Sequence, residues 1–170
     1  DLPENRRGEH HLPGCGGKTA DDVVAKAGNA QWRDGVVAFG SCSFRAPADE
    51  LRVLVVDQTS GDMSVSLGGA NAQSFQSMLA AAYAENPKAT IYVKTHPEVS
   101  SGRKQGYLTQ VQDDDHTVVL REGINPLSLI KQMDRVYVIS STMGFEALLV
   151  GKPVTCFGMP WYAGWGVTDD

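Results

Sequence analysis

The stretch from Arg135 to Pro153 constrains the fold of this chain more than any other part of the sequence. Its residues VYVI are β-branched and aromatic, a composition typical of a buried parallel strand. Three hydroxyl residues follow, and the apolar spacing after them predicts a helix that begins at Gly144 and closes at Gly151. The helix face expected to be buried carries Phe145, Leu148 and Leu149.

The turn between this strand and this helix brings side-chain hydroxyls and unpaired backbone N–H groups together. Ser140, Ser141 and Thr142 supply the hydroxyls. Functional groups collect at the carboxyl edge of a parallel sheet, and this combination suits an anion such as a phosphate or a carboxylate. The alternative is that Ser141 or Thr142 does no more than cap the helix.

From Leu51 onward the chain alternates between strand and helix patterns, which predicts an α/β domain with a parallel sheet at 49–170. Further helices are predicted after the capping residues Asn71 and Asn125. Further strands are predicted at 51–57, 89–94, 117–120 and 154–157, and polar loops at 58–70 and 98–106.

Residues 1–48 do not follow this alternation and are predicted to be an irregular or poorly ordered segment, with one short helix at 21–30. His10 and His11 lie near Cys15, which raises the question of a metal site. A second pair of ligands at the usual spacing is absent, so no metal site is predicted.

Composition excludes several classes of protein. A chain of 170 residues with a net charge of −5 has room for one good core and argues against bulk affinity for nucleic acid. Its three cysteines are widely spaced, which indicates a reducing compartment without a disulfide framework. No run is apolar enough for a membrane span and no signal peptide is visible, so a cytoplasmic protein is expected. The lack of an initial Met suggests an excised piece of a longer protein.

The residues that follow the predicted strands have complementary chemistry. Carboxylates, an amide, an ammonium and an imidazole are expected to meet the hydroxyls at one sheet edge. These residues are Asp57, Gln58, Asp62, Lys94 and His96. Together they fit the handling of a nucleotide-sugar, with cationic and N–H groups on the phosphate and a carboxylate at the sugar. Each also has a structural alternative: Asp57 can cap a helix or bind a loop, Lys94 can extend from a strand end, and His96 can satisfy a backbone carbonyl.

The end of the chain, FGMPWYAGWG, is unusually rich in glycine and aromatic residues. Trp161, Tyr162 and Trp165 either stack on a sugar or base, or fill the gap to a further domain. Residue types alone do not separate these two interpretations.

Four stretches in a fixed order carry a resemblance to a known family. They are VVDQTSGDMSVSLGGA, VKTHPEVSSGRKQGYL, VYVISSTMGFEALLVGKPVTCFG and MPWYAGWGVTDD. In this order they resemble the bacterial capsular-polysaccharide β-Kdo transferases, over about Leu51 to Asp170. The resemblance implies a Rossmann-like sheet that forms the nucleotide-binding half of a GT-B-like glycosyltransferase.

The resemblance also implies a reaction. The family transfers Kdo from CMP-β-Kdo, with retention of configuration, to a phosphatidylglycerol-linked glycolipid. Retention usually implies a carboxylate nucleophile, because two inversions restore the starting configuration. The family pattern falls on Gln58, Asp62 and Ser64, so Asp62 is expected to be the catalytic carboxylate and Asp57 to be secondary. No cofactor or metal is expected, since CMP-Kdo is a donor substrate.

The same resemblance distributes the remaining binding roles. The His-Pro pair, His96 and Pro97, and the Ser-Ser pair, Ser140 and Ser141, are expected to form the CMP site. His96 is expected to be catalytic, because it would contact the phosphate and assist its departure. Glu146 is expected at the ribose hydroxyls. The complete list of expected substrate-binding residues is Gln58, Lys94, Pro97, Ser140, Ser141, Thr142, Gly144, Glu146, Trp161 and Tyr162.

The resemblance leaves alternatives. The chain is either a Kdo transferase module, a transferase for another CMP-sugar, or a nucleotide-binding half-domain that is inactive on its own. Its expected partners are the CMP-sugar, the lipid-linked acceptor and the remainder of a larger transferase. Any membrane association is expected to be peripheral at the inner membrane, through Arg103, Lys104 and the three aromatic residues of the chain's end.

Overall fold

The computed structural model of the chain describes residues 32–33, 36–37 and 50–170. Its strands are β1 Trp32–Arg33, β2 Val36–Val37, β3 Arg52–Val56, β4 Thr90–Lys94, β5 Thr117–Leu120, β6 Arg135–Val138 and β7 Val154–Cys156. Its helices are α1 Met63–Leu67, α2 Ala72–Glu85, α3 Pro97–Ser100, α4 Pro126–Ile130 and α5 Thr142–Leu149.

Five of the strands form one parallel sheet in the spatial order β5-β4-β3-β6-β7. The chain enters at β3 in the centre, adds β4 and β5 on one side, and then crosses back to add β6 and β7 on the other. The direction in which strands are added therefore reverses at β3, and the topological switch point of this Rossmann-like sheet lies between β3 and β6. The predicted α/β class with a parallel sheet is confirmed.

Burial of the central strand explains its composition. Val53, Leu54, Val55 and Val56 are all at most 3% exposed, because helices cover both faces of the sheet. Leu54 and Val56 pack on one face in a cluster with residues of α4 and α5. Val53 and Val55 pack on the other face against α2. Alternate residues of one strand thus support two hydrophobic layers.

The longest helix, α2, forms where its sequence predicts it. Asn71 is its N-cap and exchanges hydrogen bonds with Ser74 in a capping box. Its buried stripe consists of Phe75, Met78 and Ala82. The predicted stripe is confirmed, since Leu79 and Tyr83 also pack against the same cluster in partly buried positions.

Two predicted loops contain short helices, and these predictions were wrong. The 58–70 segment contains α1, whose N-cap is Asp62. The helix α3, whose N-cap is His96, extends into the first three residues of the 98–106 segment. Both helices have five residues or fewer, which is too short to show a hydrophobic period. In each case the residue expected to do chemistry is also the residue that starts the helix.

The helix after β6 differs from its prediction at both its start and its buried face. It begins at Thr142, and its buried residues are Gly144 and Ala147. Leu149 is 68% exposed, so the prediction that it joins the buried face was wrong. Phe145 and Leu148 pack against the core in partly buried positions.

Within 1–48 the structure describes only β1 and β2, which form an antiparallel pair that the sequence pattern does not predict. The predicted helix at 21–30 lies outside the described residues. The residues considered for a metal, His10, His11 and Cys15, also lie outside them.

Candidate functional site

A cavity of about 420 Å³ lies at the carboxyl edge of the sheet, where β4, β3 and β6 end side by side. Its size is within the range of small-molecule sites. It is lined by Val56, Asp57, Gln58, Asp62, Ser64, Lys94, Thr95, His96, Pro97, Ile124, Pro126, Ser140, Ser141, Thr142, Met143 and Trp161. The structure therefore brings the predicted carboxylates, amide, ammonium, imidazole and hydroxyls together.

Gln58 joins the two strands that flank the switch point. Its Oε1 accepts from the backbone N–H of Ser140 at 3.0 Å, so the end of β3 is tied to the end of β6. Its Nε2 donates to Asp62 Oδ2 at 3.0 Å and lies 3.1 Å from Ser140 Oγ. Gln58 is 5% exposed. Its amide is thus a fixed bridge that orients the carboxylate beside it.

Asp62 combines a structural and a chemical position. Its Oδ1 accepts from the backbone N–H of Ser64 at 2.9 Å and so caps α1, while Oδ2 faces Gln58. Burial acts to raise the pKa of Asp62, but hydrogen bonds from Ser64 and Gln58, together with the charge of His96, outweigh it and lower this pKa below its ordinary value. Asp62 is therefore held as an ionised carboxylate at the cavity wall.

Asp57 has a different environment. Its Oδ1 accepts from the backbone N–H groups of Gln58, Tyr107 and Leu108 at 2.9, 3.0 and 3.3 Å. Burial raises the pKa of Asp57, and these three donors counteract that rise. A side chain at Gly106 would place its Cβ 2.2 Å from Asp57 Oδ2. Asp57 thus anchors the 106–108 loop against the sheet edge, and it also lines the cavity.

Lys94 ends β4 and is 5% exposed. Its Nζ donates to the backbone carbonyls of Thr95 at 2.7 Å and Glu122 at 3.1 Å. Burial lowers the pKa of Lys94 to about 8. The alternative that this side chain merely extends away from a strand end is excluded by its burial.

His96 caps α3 through its ring. Nδ1 accepts from the backbone N–H of Glu98 at 3.2 Å, and Pro97 occupies the first position of the helix. With Nδ1 as an acceptor, the neutral ring carries its proton on Nε2, which is then a donor. The imidazole therefore satisfies a backbone N–H group, and not a backbone carbonyl as the structural alternative held, and it also lines the cavity.

The Ser140-Ser141-Thr142 turn begins α5. Ser141 is the N-cap, and its Oγ accepts from the backbone N–H of Met143 at 3.3 Å. Ser140 Oγ lies 2.9 Å from Ser64 Oγ. The capping interpretation and the anion-site interpretation are compatible, because all three hydroxyl residues line the cavity at the start of the helix.

Tyr162 packs inside the molecule, which corrects its predicted role as an exposed stacking or lipid-facing residue. It is 3% exposed, and its hydroxyl donates to the carbonyl of Ser141. Its Oη would lie 2.3 Å from a Cβ at Gly144. Gly144 therefore makes room for this ring and is absent from the cavity lining. Burial raises the pKa of Tyr162 well above its ordinary value.

The two tryptophans of the chain's end are exposed. Trp161 is 66% exposed, lines the cavity and packs on Phe145 with 4.5 Å between ring centroids. Trp165 is 77% exposed, and its indole N–H donates to the carbonyl of Trp161 at 3.1 Å.

Of the basic residues predicted to face lipid, Lys104 pairs with Glu98 at 3.0 Å.

Glu146 lies one turn after Thr142 on α5, so the two side chains share a helix face. Its Oε2 is buried and has no hydrogen-bond partner among the described residues. A buried carboxylate oxygen without a donor is unfavourable. Glu146 is not among the residues that line the cavity, so its predicted contact with a ligand is not part of the observed cavity wall.

Sequence reasoning did not single out the apolar lining, formed by Val56, Ile124, Pro126 and Met143. It also gave no role to Ser64, although Ser64 Oγ contacts Ser140 and lies 3.3 Å from Gln58 Nε2. The available signal was its place in the family pattern, two residues after Asp62. In the part of the chain that the structure describes, no group of three His, Cys, Asp or Glu side chains is arranged for a metal. No helix there is both long and apolar enough to cross a bilayer.

Similar proteins match about three quarters of the chain. Capsule polysaccharide modification protein LipA of Neisseria meningitidis serogroup A is 56% identical over 126 residues, which are 74% of this chain and 18% of LipA. Lipopolysaccharide-processing protein LpsZ of Rhizobium meliloti is 37% identical over 124 residues, which are 73% of this chain and 28% of LpsZ. The chain thus spans less than a third of either curated relative.

Solved structures of one larger protein are also similar. The β-Kdo 2,4 transferase structure of Thermosulfurimonas dismutans KpsC matches 77% of this chain with a TM-score of 0.71 and 52% identity. The β-Kdo 2,7 transferase structure of the same KpsC matches 74% with a TM-score of 0.56 and 32% identity. The matches cover 40% and 39% of those chains.

These matches confirm the resemblance to capsular β-Kdo transferases and the Rossmann-like fold. The family model described as capsule polysaccharide biosynthesis protein matches residues 10–170, which is nearly the whole chain. The chain belongs to the capsule polysaccharide biosynthesis protein family.

Proposed function

We propose that the chain carries the donor site of a retaining glycosyltransferase that transfers Kdo from CMP-β-Kdo in capsule synthesis. The observation that carries the proposal is the single cavity wall on which Asp62, His96 and Ser141 meet. It combines an ionised carboxylate, a ring N–H donor and a helix N-terminus. These are the groups that a retaining transfer from a phosphate-linked sugar requires.

The nucleotide is proposed to bind along the β4–α3 and β6–α5 turns. The phosphate lies at the start of α5, where Ser141 and Thr142 donate, and near the Nε2 of His96. The ribose hydroxyls are proposed to donate to Glu146, whose buried Oε2 has no hydrogen-bond partner among the described residues and is reached only if this side chain turns toward the cavity. No metal or cofactor is proposed, because hydroxyls, N–H groups and the helix dipole supply the electrostatic stabilisation.

Asp62 is proposed to be the nucleophile. Its carboxylate attacks the anomeric carbon of Kdo, the bond from that carbon to the phosphate oxygen breaks, and CMP leaves with the bonding electrons. The acceptor hydroxyl then attacks the same carbon, loses its proton and releases Asp62. Gln58 positions the carboxylate through the 3.0 Å hydrogen bond to Oδ2.

The acceptor is proposed to be a lipid-linked glycan that approaches past Trp161, since this exposed ring forms part of the cavity rim. Trp165 extends the exposed aromatic surface next to it. The phosphatidylglycerol anchor and a peripheral position at the inner membrane belong to this proposal. The remainder of a larger transferase is its further proposed partner.

A second candidate is a donor-binding half-domain that does not turn over alone. It is favoured by the coverage of the KpsC matches, which is 40% and 39% of the solved chains. A transferase for another CMP-sugar shares the same nucleotide contacts. All three candidates predict CMP binding. Only the Kdo transferase predicts a Kdo adduct on Asp62.

Calorimetric titration with CMP tests the nucleotide site. The chain is expected to bind CMP, and Ser141→Ala is expected to weaken binding by roughly 1.5–3 kcal/mol, the contribution of a hydrogen bond to a charged group. Ser101→Ala is the matched control, because Ser101 is exposed and donates only to the carbonyl of Glu98 at 3.2 Å. Unchanged CMP affinity in Ser141→Ala contradicts the proposed phosphate position.

A further inference from the structure

Lys94 is a buried cation with an incomplete set of partners. Its two hydrogen bonds go to the backbone carbonyls of Thr95 and Glu122, and both acceptors are neutral. An ammonium group has three N–H donors, so one remains. None of the ion pairs among the described residues includes Lys94.

This arrangement is costly without an anion. A buried ammonium normally pairs with a carboxylate, because desolvation penalises the charged form. At Lys94 burial alone lowers the pKa, to about 8. Lys94 is one of the residues that line the cavity of about 420 Å³, so an anion bound in this cavity lies beside its side chain.

The other titratable groups of the cavity do not replace it. Asp62 uses both carboxylate oxygens, and Asp57 uses Oδ1, to accept hydrogen bonds from backbone and amide donors. Neither carboxylate is among the ion-pair partners found in the described residues for any lysine. His96 uses Nδ1 to accept from Glu98. Lys94 is the only Lys or Arg side chain among the described residues that line the cavity.

We propose that Lys94 pairs with the anionic group of the donor in this cavity, and that the protein takes up a proton at Nζ as the anion binds. The inference rests on the proposed function, which supplies CMP-β-Kdo as the donor. An adjacent anion favours the charged form of a lysine and so raises its affinity for protons. By linkage, binding then takes up protons and weakens as the pH rises.

The pKa of Lys94 in the free protein determines how many protons are taken up on binding and how this number changes with pH. At pH 8 about half of the Lys94 side chains are protonated without ligand, so CMP binding takes up to about half a proton. At pH 6 Lys94 is already protonated, and its uptake vanishes. The phosphate of CMP does not contribute at pH 8, since its second pKa is about 6 and it is already a dianion.

Titration calorimetry with CMP in two buffers of different ionisation enthalpy measures this uptake. At pH 8 the wild-type chain is expected to show uptake, and cytidine, which lacks the phosphate, is expected to show none. Lys94→Met is expected to abolish the uptake and weaken CMP binding about tenfold or more. Lys94→Arg is expected to bind CMP without uptake, because a guanidinium stays charged at pH 8.

Each result decides the inference. Binding of CMP without proton uptake at pH 8, or uptake that persists in Lys94→Met or Lys94→Arg, overturns it and leaves the proposed function intact. Absence of CMP binding at every pH overturns the proposed function as well. His96→Asn, which keeps an acceptor for Glu98, is expected to retain the uptake, and its loss there would assign the proton to the imidazole.

Discussion

Gln58 Nε2 donates to Asp62 Oδ2 at 3.0 Å, while Oε1 of the same amide accepts from the N–H of Ser140. The carboxylate proposed to react is thus oriented by a side chain fixed between two neighbouring strands. The amide cannot rotate without losing both bonds, because its donor and acceptor ends face different partners. This link between β3 and β6 makes the switch point of the sheet a defined site.

Loss of the Gln58 amide is expected to raise the pKa of Asp62. In Gln58→Ala the charged form loses a donor, so protonation of Asp62 extends to higher pH. The acid limb of the pH profile for CMP release from CMP-β-Kdo is expected to move upward. Ser66→Ala is the control, since Ser66 lies on α1 but donates only to the carbonyl of Met63. An unmoved acid limb in Gln58→Ala contradicts the orienting role.

Asp57 is expected to contribute to stability more than to chemistry. Asp57→Ala leaves the buried N–H groups of Tyr107 and Leu108 without their acceptor, at about 1–3 kcal/mol for each unsatisfied group. The free energy of unfolding in urea is expected to fall by roughly 3 kcal/mol. Asp57→Asn keeps an acceptor oxygen and is expected to lose less, and the exposed Asp115→Ala serves as control. Equal loss in Asp57→Ala and Asp115→Ala contradicts the anchoring role.

Gly144 and Tyr162 are expected to be energetically coupled. Gly144→Ala places a Cβ 2.3 Å from Tyr162 Oη and displaces the ring from the carbonyl of Ser141. Because Tyr162→Phe removes the nearest atom of this clash, the double variant is expected to lose less stability than the two single losses added together. Urea unfolding of the four proteins measures the coupling. Strict additivity contradicts this packing.

Much of the fold could be predicted because its signals are local. The apolar run of β3 and the capped, periodic α2 each specify their own structure. The helix α1 escaped prediction because it has five residues, two of them serine and one β-branched, and therefore no periodic stripe. Its caps, Asp62 and Gly68, were the only local marks.

Most of the polar side chains that line the site could be predicted, but Gly144, Glu146 and Tyr162 were wrongly included and the division of roles could not be predicted. Strand ends of a parallel sheet meet at one edge, which sufficed to bring Asp62, Lys94 and His96 together. The link from Gln58 to Ser140 spans 82 positions, and no local pattern reports it. Tyr162 was misassigned for the same reason, because its burial depends on Gly144, a residue distant in sequence.

The identity of the nucleophile is tested most directly by the intact mass of the protein after incubation with CMP-β-Kdo. The account predicts that the wild-type chain gains one Kdo unit, and that peptide mapping places it on Asp62. Asp62→Asn is expected to give no adduct while binding CMP nearly as well as wild type, because the lost interaction is made in the transition state and not with the nucleotide. Asp57→Asn is expected to form the adduct. A Kdo adduct that persists in Asp62→Asn, or one that maps to Asp57, contradicts the account.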